Sequence, residues 1–113
     1  MNKAVFYLLT LCMVTLSATS HAAQKLDVKA TLAACIACHD ISSAKKALVG
    51  PPLFGVYGRK PLSVGLPYKK FDQASLDQWL RDPSKVKRET QMVFKVADKV
   101  ERSKVIEALK TLK

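Results

Sequence analysis

The run Cys35-Ile36-Ala37-Cys38-His39 constrains this chain of 113 residues more than any other part of its sequence. Two cysteines three positions apart lie about one helical turn from each other, and a histidine follows directly. This spacing is typical of haem attachment, in which the two sulfurs form thioethers and the histidine binds the iron. The same residues also suit a thiol redox pair, part of a zinc site or a structural disulfide.

The beginning of the chain has the pattern of an export signal. A lysine near the start precedes the almost continuously apolar run 4–16, and small residues around Ala22 suit a cleavage site. We expect cleavage after Ala22, which makes 1–22 a signal peptide and 23–113 one mature domain in the periplasm. The apolar run is shorter than the roughly 20 residues of a spanning helix, so no stable membrane insertion is expected after cleavage.

Signal removal sharply reduces the set of possible metal ligands. Removing 22 of the 113 residues leaves 91, with two of the three cysteines, one of the two histidines and one of the three methionines. These are Cys35, Cys38, His39 and Met92. No further Cys or His completes a zinc site, and a thioredoxin-like pair needs a βαβ unit that the sequence lacks. A disulfide stays an alternative, but it leaves His39 without a role, so we favour one covalent haem c.

Apolar periodicity predicts three helices and no strand, and therefore an all-α domain with long loops. The first helix runs from Lys25 to Ile36, with Asp27 as N-cap, and ends at the cysteines. The second covers about 73–81, with Ser75 at the start of a capping box. The third begins at Asp98 and continues to the end of the chain.

Two segments are predicted to be loops. Residues 40–65 contain three prolines and four glycines, too many for a regular element, and a loop of this length needs something to wrap. Residues 83–96 show little periodicity, which places Met92 on a loop.

Met92 is the favoured second iron ligand. A single histidine excludes bis-histidine ligation, and the remaining choices are Met92, a lysine, water or nothing. A neutral thioether favours reduced iron and a positive potential. Because both axial positions are then filled, the site favours electron transfer over substrate chemistry, and we expect no enzymatic activity.

Longer segments carry a family resemblance. They are Cys35 to His39, Gly50-Pro51-Pro52-Leu53-Phe54-Gly55 with Gly58-Arg59-Lys60, Asp82-Pro83, Thr90-Gln91-Met92-Val93-Phe94, and Glu101 to Lys110. On these segments the chain resembles the class I cytochrome c family, most closely its mitochondrial-type members, over nearly all of 27–112. The resemblance implies the class I cytochrome c fold, with three or more short helices and long loops wrapped around one covalently attached haem.

The resemblance also implies roles for single residues. The Pro51 carbonyl is expected to accept a hydrogen bond from the ring of His39 and to fix its tautomer. Further haem contacts are expected from Arg59 and Thr90 near a propionate, Trp79 beside the Met92 ligand, and Phe94 at the exposed haem edge.

The sequence departs from the family pattern in three places. The segment between Tyr68 and Ser75 is shorter and lacks a tryptophan that donates to a propionate. Arg88-Glu89 stands where the family often has Pro-Gly. Thr31 and Ala108 replace an aromatic contact between the first and last helices.

Charge indicates the kind of partner. Without Lys3 the mature chain has 18 basic and 9 acidic residues, a net charge of +9, which predicts attraction to acidic redox proteins. No nucleic-acid partner is expected, because the chain is exported and lacks an aromatic-plus-basic motif. The cations expected around the haem opening are Lys45, Lys46, Lys69, Lys70, Lys85, Lys87, Arg88 and Lys95.

These observations predict a monomeric periplasmic carrier of single electrons. It is expected to link a dehydrogenase or quinol-oxidising complex to a terminal oxidase or reductase. One alternative is a cytochrome subunit bound permanently to a periplasmic oxidoreductase, and another is a haem sensor with an open sixth position.

Overall fold

The computed structural model describes residues 24–113 and contains four helices joined by long loops. They are α1 (Val28–Thr31), α2 (Gln73–Arg81), α3 (Pro83–Val86) and α4 (Lys99–Thr111). No strand occurs in residues 24–113, so the all-α prediction is confirmed. None of the helices in this range combines the length and apolarity needed to cross a membrane. The predicted signal peptide, 1–22, lies outside the described residues.

The first helix is shorter than predicted. Asp27 does cap it, accepting a hydrogen bond from the amide of Ala30 at 3.0 Å, but regular helix ends at Thr31 rather than Ile36. From there the chain continues as tight turns. Cys35 donates to the carbonyl three residues earlier at 2.9 Å, whereas His39 donates to the carbonyl four residues earlier at 2.9 Å. Because the two spacings alternate, the turns tighten instead of continuing a straight α-helix.

Helix α2 has the predicted bounds but a different cap. Asp72, not Ser75, is the N-cap: its carboxylate accepts from the amide of Ser75 at 2.9 Å, and the Ser75 hydroxyl accepts from the amide of Asp72 at 2.8 Å. These reciprocal bonds satisfy two amides at the helix start. The helix buries Leu76, Trp79 and Leu80.

Helix α3 was not predicted. Pro83, which terminates α2, also occupies the first turn of α3, where its fixed φ and missing amide are tolerated. The proline therefore divides two helices. Met92 lies on the loop that follows α3, as predicted from the lack of periodicity.

Helix α4 begins as predicted and packs on α1 and α2. The carboxylate of Asp98 accepts from the amide of Glu101 at 2.8 Å, and the helix ends at Thr111, two residues before the end of the chain. Leu32, the neighbour of Thr31, and Ala108 are fully buried in the core. An aliphatic side chain and a small one thus occupy the contact region between the first and last helices. The buried apolar residues are Leu32, Val56, Phe71, Leu76, Trp79, Leu80, Val105, Ile106, Ala108 and Leu109.

The long loop between His39 and α2 is held by specific backbone hydrogen bonds. The amide of Gly58 donates to Phe71 O at 2.6 Å, and that of Phe71 donates to Arg59 O at 2.9 Å. The amide of Gly55 donates to Leu112 O at 2.6 Å, which joins the loop to the end of α4. Gly55 and Gly58 have φ of 73° and 82°, values that glycine adopts without strain. The predicted loop over 40–65 is therefore ordered without regular secondary structure.

Candidate functional site

A cavity of about 390 Å³ lies beside the core, within the range usual for small-molecule and cofactor sites. Its lining is mostly apolar and comes from the turn after α1, the long loop, α2, α4 and the methionine loop. All eight residues predicted to contact the cofactor line this one cavity: Cys35, Cys38, His39, Pro51, Arg59, Trp79, Thr90 and Met92. Phe94 lines it as well and is partly exposed.

His39 is oriented by the long loop. Its Nδ1 lies 2.6 Å from the carbonyl oxygen of Pro51. Because a carbonyl only accepts hydrogen bonds, this contact assigns the proton to Nδ1 and leaves the lone pair on Nε2 for a metal. The partner also makes the ring a better donor toward that metal.

Gly50 allows His39 to occupy this position. A β-carbon at residue 50 would lie 2.2 Å from Cε1 of the ring, closer than real contacts allow. The amide of Gly50 also donates to Cys38 O at 2.8 Å, so the loop is fastened to the motif itself. Glycine is needed at this position because the His39 ring packs directly against the backbone, and not because of an unusual backbone conformation.

Cys35 and Cys38 are both free thiols and line the cavity. Burial raises the pKa of the Cys35 thiol, so this side chain is a neutral thiol on the apolar cavity wall. No group of three His, Cys, Asp or Glu side chains in the part of the chain described is arranged to hold a metal ion. The geometry thus favours thioether attachment over a zinc site.

Met92 is half-buried on a loop fixed near both ends. The amide of Met92 donates to the hydroxyl oxygen of Thr90 at 3.1 Å, and the amide of Thr90 donates to Lys87 O at 3.1 Å. Further along, the amide of Val96 donates to Leu80 O at 2.8 Å, which fastens the loop to α2. The thioether therefore enters the cavity from a defined loop, despite the Arg88-Glu89 pair in place of Pro-Gly.

Arg59 provides a polar feature that fits a carboxylate. Its guanidinium donates to Pro52 O at 2.8 Å and to Phe54 O at 3.2 Å, but its Nε is buried without a partner. Burial lowers the pKa of Arg59, as expected for a cation withdrawn from water. Since Arg59 lines the cavity, a bound carboxylate would satisfy this donor. Two free thiols, a histidine with an available Nε2, a thioether, apolar walls and this cation together fit a haem with its propionates.

An ion pair that holds the methionine loop was not predicted. Arg102 in α4 is only 4% exposed, and its Nε lies 2.8 Å from Oδ1 of Asp77 in α2. Its Nη1 donates to the carbonyls of Val96 and Ala97 at 3.1 and 2.6 Å. Arg102 therefore links α2, α4 and the end of the loop that carries Met92. The sequence carries one sign of this pair, since Arg102 continues the apolar face of Val105 and Ile106 at helical spacing, where a charged side chain needs a partner.

Replacing Asp77 with asparagine is expected to lower the free energy of unfolding by about 2 kcal/mol at neutral pH. Loss of one member of a buried pair costs about 3–5 kcal/mol, and we discount this because the Asp77 side chain is 25% exposed. The hydrogen bond from Arg102 is the main cause that lowers the pKa of Asp77. The pair therefore stabilises the fold fully above the unfolded pKa of about 3.9, and this contribution disappears as pH falls through the folded value.

Urea unfolding of the holoprotein between pH 7 and pH 3 measures this effect. The difference between wild type and Asp77→Asn should stay constant from pH 7 to about pH 4 and narrow as pH falls further, through the lowered pKa of Asp77. Glu107→Gln, which breaks the exposed pair with Lys110, serves as control and should change stability much less. Equal losses in the two variants would contradict a special role for the buried pair.

The sequence is similar to several curated cytochromes c2. It is 39% identical to cytochrome c2 iso-2 of Magnetospirillum molischianum over 99 residues, covering 77% of this chain and 99% of the relative. It is 31% identical to cytochrome c2 iso-1 of Rhodospirillum centenum over 103 residues, covering 68% and 86%. No protein-family model matches the chain.

The solved structures that are similar to this chain are also c-type cytochromes. Cytochrome cH from Methylobacterium extorquens aligns with a TM-score of 0.61 and 36% identity, over 74% of this chain and 94% of that chain. Cytochrome c2 from Rhodospirillum centenum aligns with a TM-score of 0.64 and 28% identity, over 76% and 95%. The predicted fold and the predicted covalent haem are thereby confirmed. The chain belongs to the class I cytochrome c family.

Proposed function

We propose that the protein carries single electrons in the periplasm, with haem joined to Cys35 and Cys38 and its iron held by His39 and Met92. The strongest support is that both candidate iron ligands and both thiols line one mostly apolar cavity. In addition, Nδ1 of His39 is hydrogen-bonded to the carbonyl of Pro51, which leaves Nε2 available. When bound, the haem supplies an iron that changes reversibly between the ferrous and ferric states.

The surrounding residues adapt the site to electron transfer. His39 is held in one tautomer by Pro51, so its donor atom needs little rearrangement. Met92 would supply a neutral donor to the iron, which favours the reduced state and would leave no open coordination position for small ligands. Trp79, Leu80 and their apolar neighbours keep water from the cavity wall, which also raises the potential.

The charge distribution supports docking to acidic partners. Eight of the nine acidic residues are already engaged within residues 24–113, as helix caps, turn acceptors or ion pairs. They are Asp27, Asp40, Asp72, Asp77, Asp82, Asp98, Glu101 and Glu107. Exposed lysines whose ammonium groups form no salt bridge in this range include Lys45, Lys46, Lys69 and Lys70. The positive surplus is therefore available to attract a dehydrogenase, quinol-oxidising complex, oxidase or reductase through a small transient interface.

Small redox probes test this charge arrangement before any partner is known. Oxidation of the reduced holoprotein by ferricyanide should slow about tenfold as ionic strength rises, because cations around the haem opening attract the anion. Oxidation by a cationic cobalt complex should accelerate instead. The rates can be followed by stopped-flow absorbance.

A charge-matched pair of double variants locates the effect. Lys69→Gln with Lys70→Gln should weaken the ionic-strength dependence, whereas Lys99→Gln with Lys104→Gln on α4 should leave it nearly unchanged. If the oxidation rate depends on ionic strength with neither probe, the haem opening is not surrounded by cations. The permanently bound subunit would then be the better interpretation.

A further inference from the structure

Two cationic side chains, Arg59 and Lys87, line the cavity in the described part of the chain. Lys87 follows α3 directly and lies five positions before Met92, so it reaches the cavity from a different segment than Arg59. It is half-buried, unlike the other cations expected around the opening, which are exposed. Lys87 therefore differs from a surface lysine both in position and in burial.

The ammonium of Lys87 is directed by a specific contact. Its Nζ donates to the carbonyl oxygen of Val64 at 2.7 Å, which joins the methionine loop to the turn near Gly65. An ammonium has three donors, so this bond leaves two of them available. Val64 itself is exposed and does not line the cavity, but Leu62, Ser63 and Leu66 of the same turn do. The contact therefore joins two cavity-lining segments at an exposed position.

Lys87 forms no ion pair within residues 24–113. Glu89 lines the same cavity but makes no salt bridge with Lys87. The neighbouring lysines behave differently, since Lys85 and Lys95 lie 3.9 and 3.8 Å from Asp82. A cation that lines the cavity and has no carboxylate within ion-pair distance is complementary to an anionic ligand.

We propose that Lys87 binds a propionate carboxylate of the haem and, through Val64, ties the methionine loop to the 61–66 turn around that carboxylate. The assignment rests on the proposed function, because it needs haem in this cavity. Two cations on the wall match a ligand with two carboxylates, and Arg59 supplies the other donor set. Lys87 is thus a cofactor-binding residue rather than part of the surface that attracts partners.

The test compares Lys87→Gln with Lys85→Gln in the holoprotein, since both lose one positive charge from neighbouring positions. Loss of a cation that contacts the haem favours ferric iron and lowers the potential. At the wild-type midpoint, Lys87→Gln should raise the ratio of oxidised to reduced protein about threefold to tenfold, and Lys85→Gln less than about twofold. Lys87→Arg, which keeps the charge, should have a ratio of oxidised to reduced protein close to that of wild type.

The propionate bending band in the resonance Raman spectrum gives a second readout. It should shift in Lys87→Gln and stay in place in Lys85→Gln. Equal potential changes in both variants, or an unshifted propionate band, would overturn the proposal. The propionate band can be measured whether or not Met92 binds the iron. A variant in which the Met92 bond is weakened therefore still tests the proposal. Wild-type protein without covalent haem would instead refute the proposed function.

Discussion

Replacing both Cys35 and Cys38 with alanine is expected to remove covalent haem and to unfold the chain. The long loop between His39 and α2 has no helix or strand of its own and surrounds the cavity. Without haem, the mostly apolar walls of this cavity of about 390 Å³ would lose their packing partner and face water, which is unfavourable. The total stability of a small domain is only about 5–15 kcal/mol, so little would remain.

Far-UV circular dichroism and extraction of haem into acidified organic solvent measure this outcome. Wild-type protein should keep its haem in the protein fraction, and the double variant should release all of it. Each single variant, Cys35→Ala or Cys38→Ala, retains one thioether and should keep both haem and helical signal. A double variant with native helical content and no haem would show that the chain folds without its cofactor.

Replacing Met92 with alanine is expected to abolish the sulfur-to-iron charge-transfer band and to lower the potential. Axial ligation sets haem potentials over a range of about 0.8 V, and loss of the thioether should account for a fall on the order of 0.2 V. The reduced variant should also bind carbon monoxide at neutral pH, because one axial position becomes open. Optical spectra and a redox titration measure all three effects.

Lys95→Ala is the matched control, since Lys95 lies three residues further along the same loop and does not line the cavity. It should keep the charge-transfer band and exclude carbon monoxide. An unchanged spectrum in Met92→Ala would refute the ligand assignment. Carbon monoxide binding by the reduced wild type would favour the sensor alternative.

Local patterns predicted the parts of the fold that depend on neighbours in sequence. The start of α4 follows from Asp98 and Glu101, three residues apart, and the extent of α2 follows from its apolar positions and the proline after it. The cap of α2 was misplaced because Asp72 and Ser75 both have capping side chains, and only the structure shows which one precedes the helix. The length of α1 was overestimated because alanine-rich sequence favours helix, whereas the chain tightens before the cysteines.

Contacts between distant residues could not be predicted in the same way. Arg102 lies three and four residues before Val105 and Ile106, on the apolar face of α4, but its partner Asp77 lies 25 residues earlier. The bond from Lys87 to Val64 spans 23 residues. In both cases the sequence does not reveal the partner, because the contact depends on how the loops fold back.

The position of Arg102 has a consequence for how the protein opens. It lies in the first turn of α4, yet it binds the carbonyls that end the methionine loop. Fraying of that turn and release of the loop therefore belong to one cooperative unit rather than two. In hydrogen exchange, the amide of Val96 should become labile together with the first turn of α4, while the amides of α2 stay protected longer. Arg102 does not line the cavity, yet through these hydrogen bonds it stabilises the loop that carries Met92.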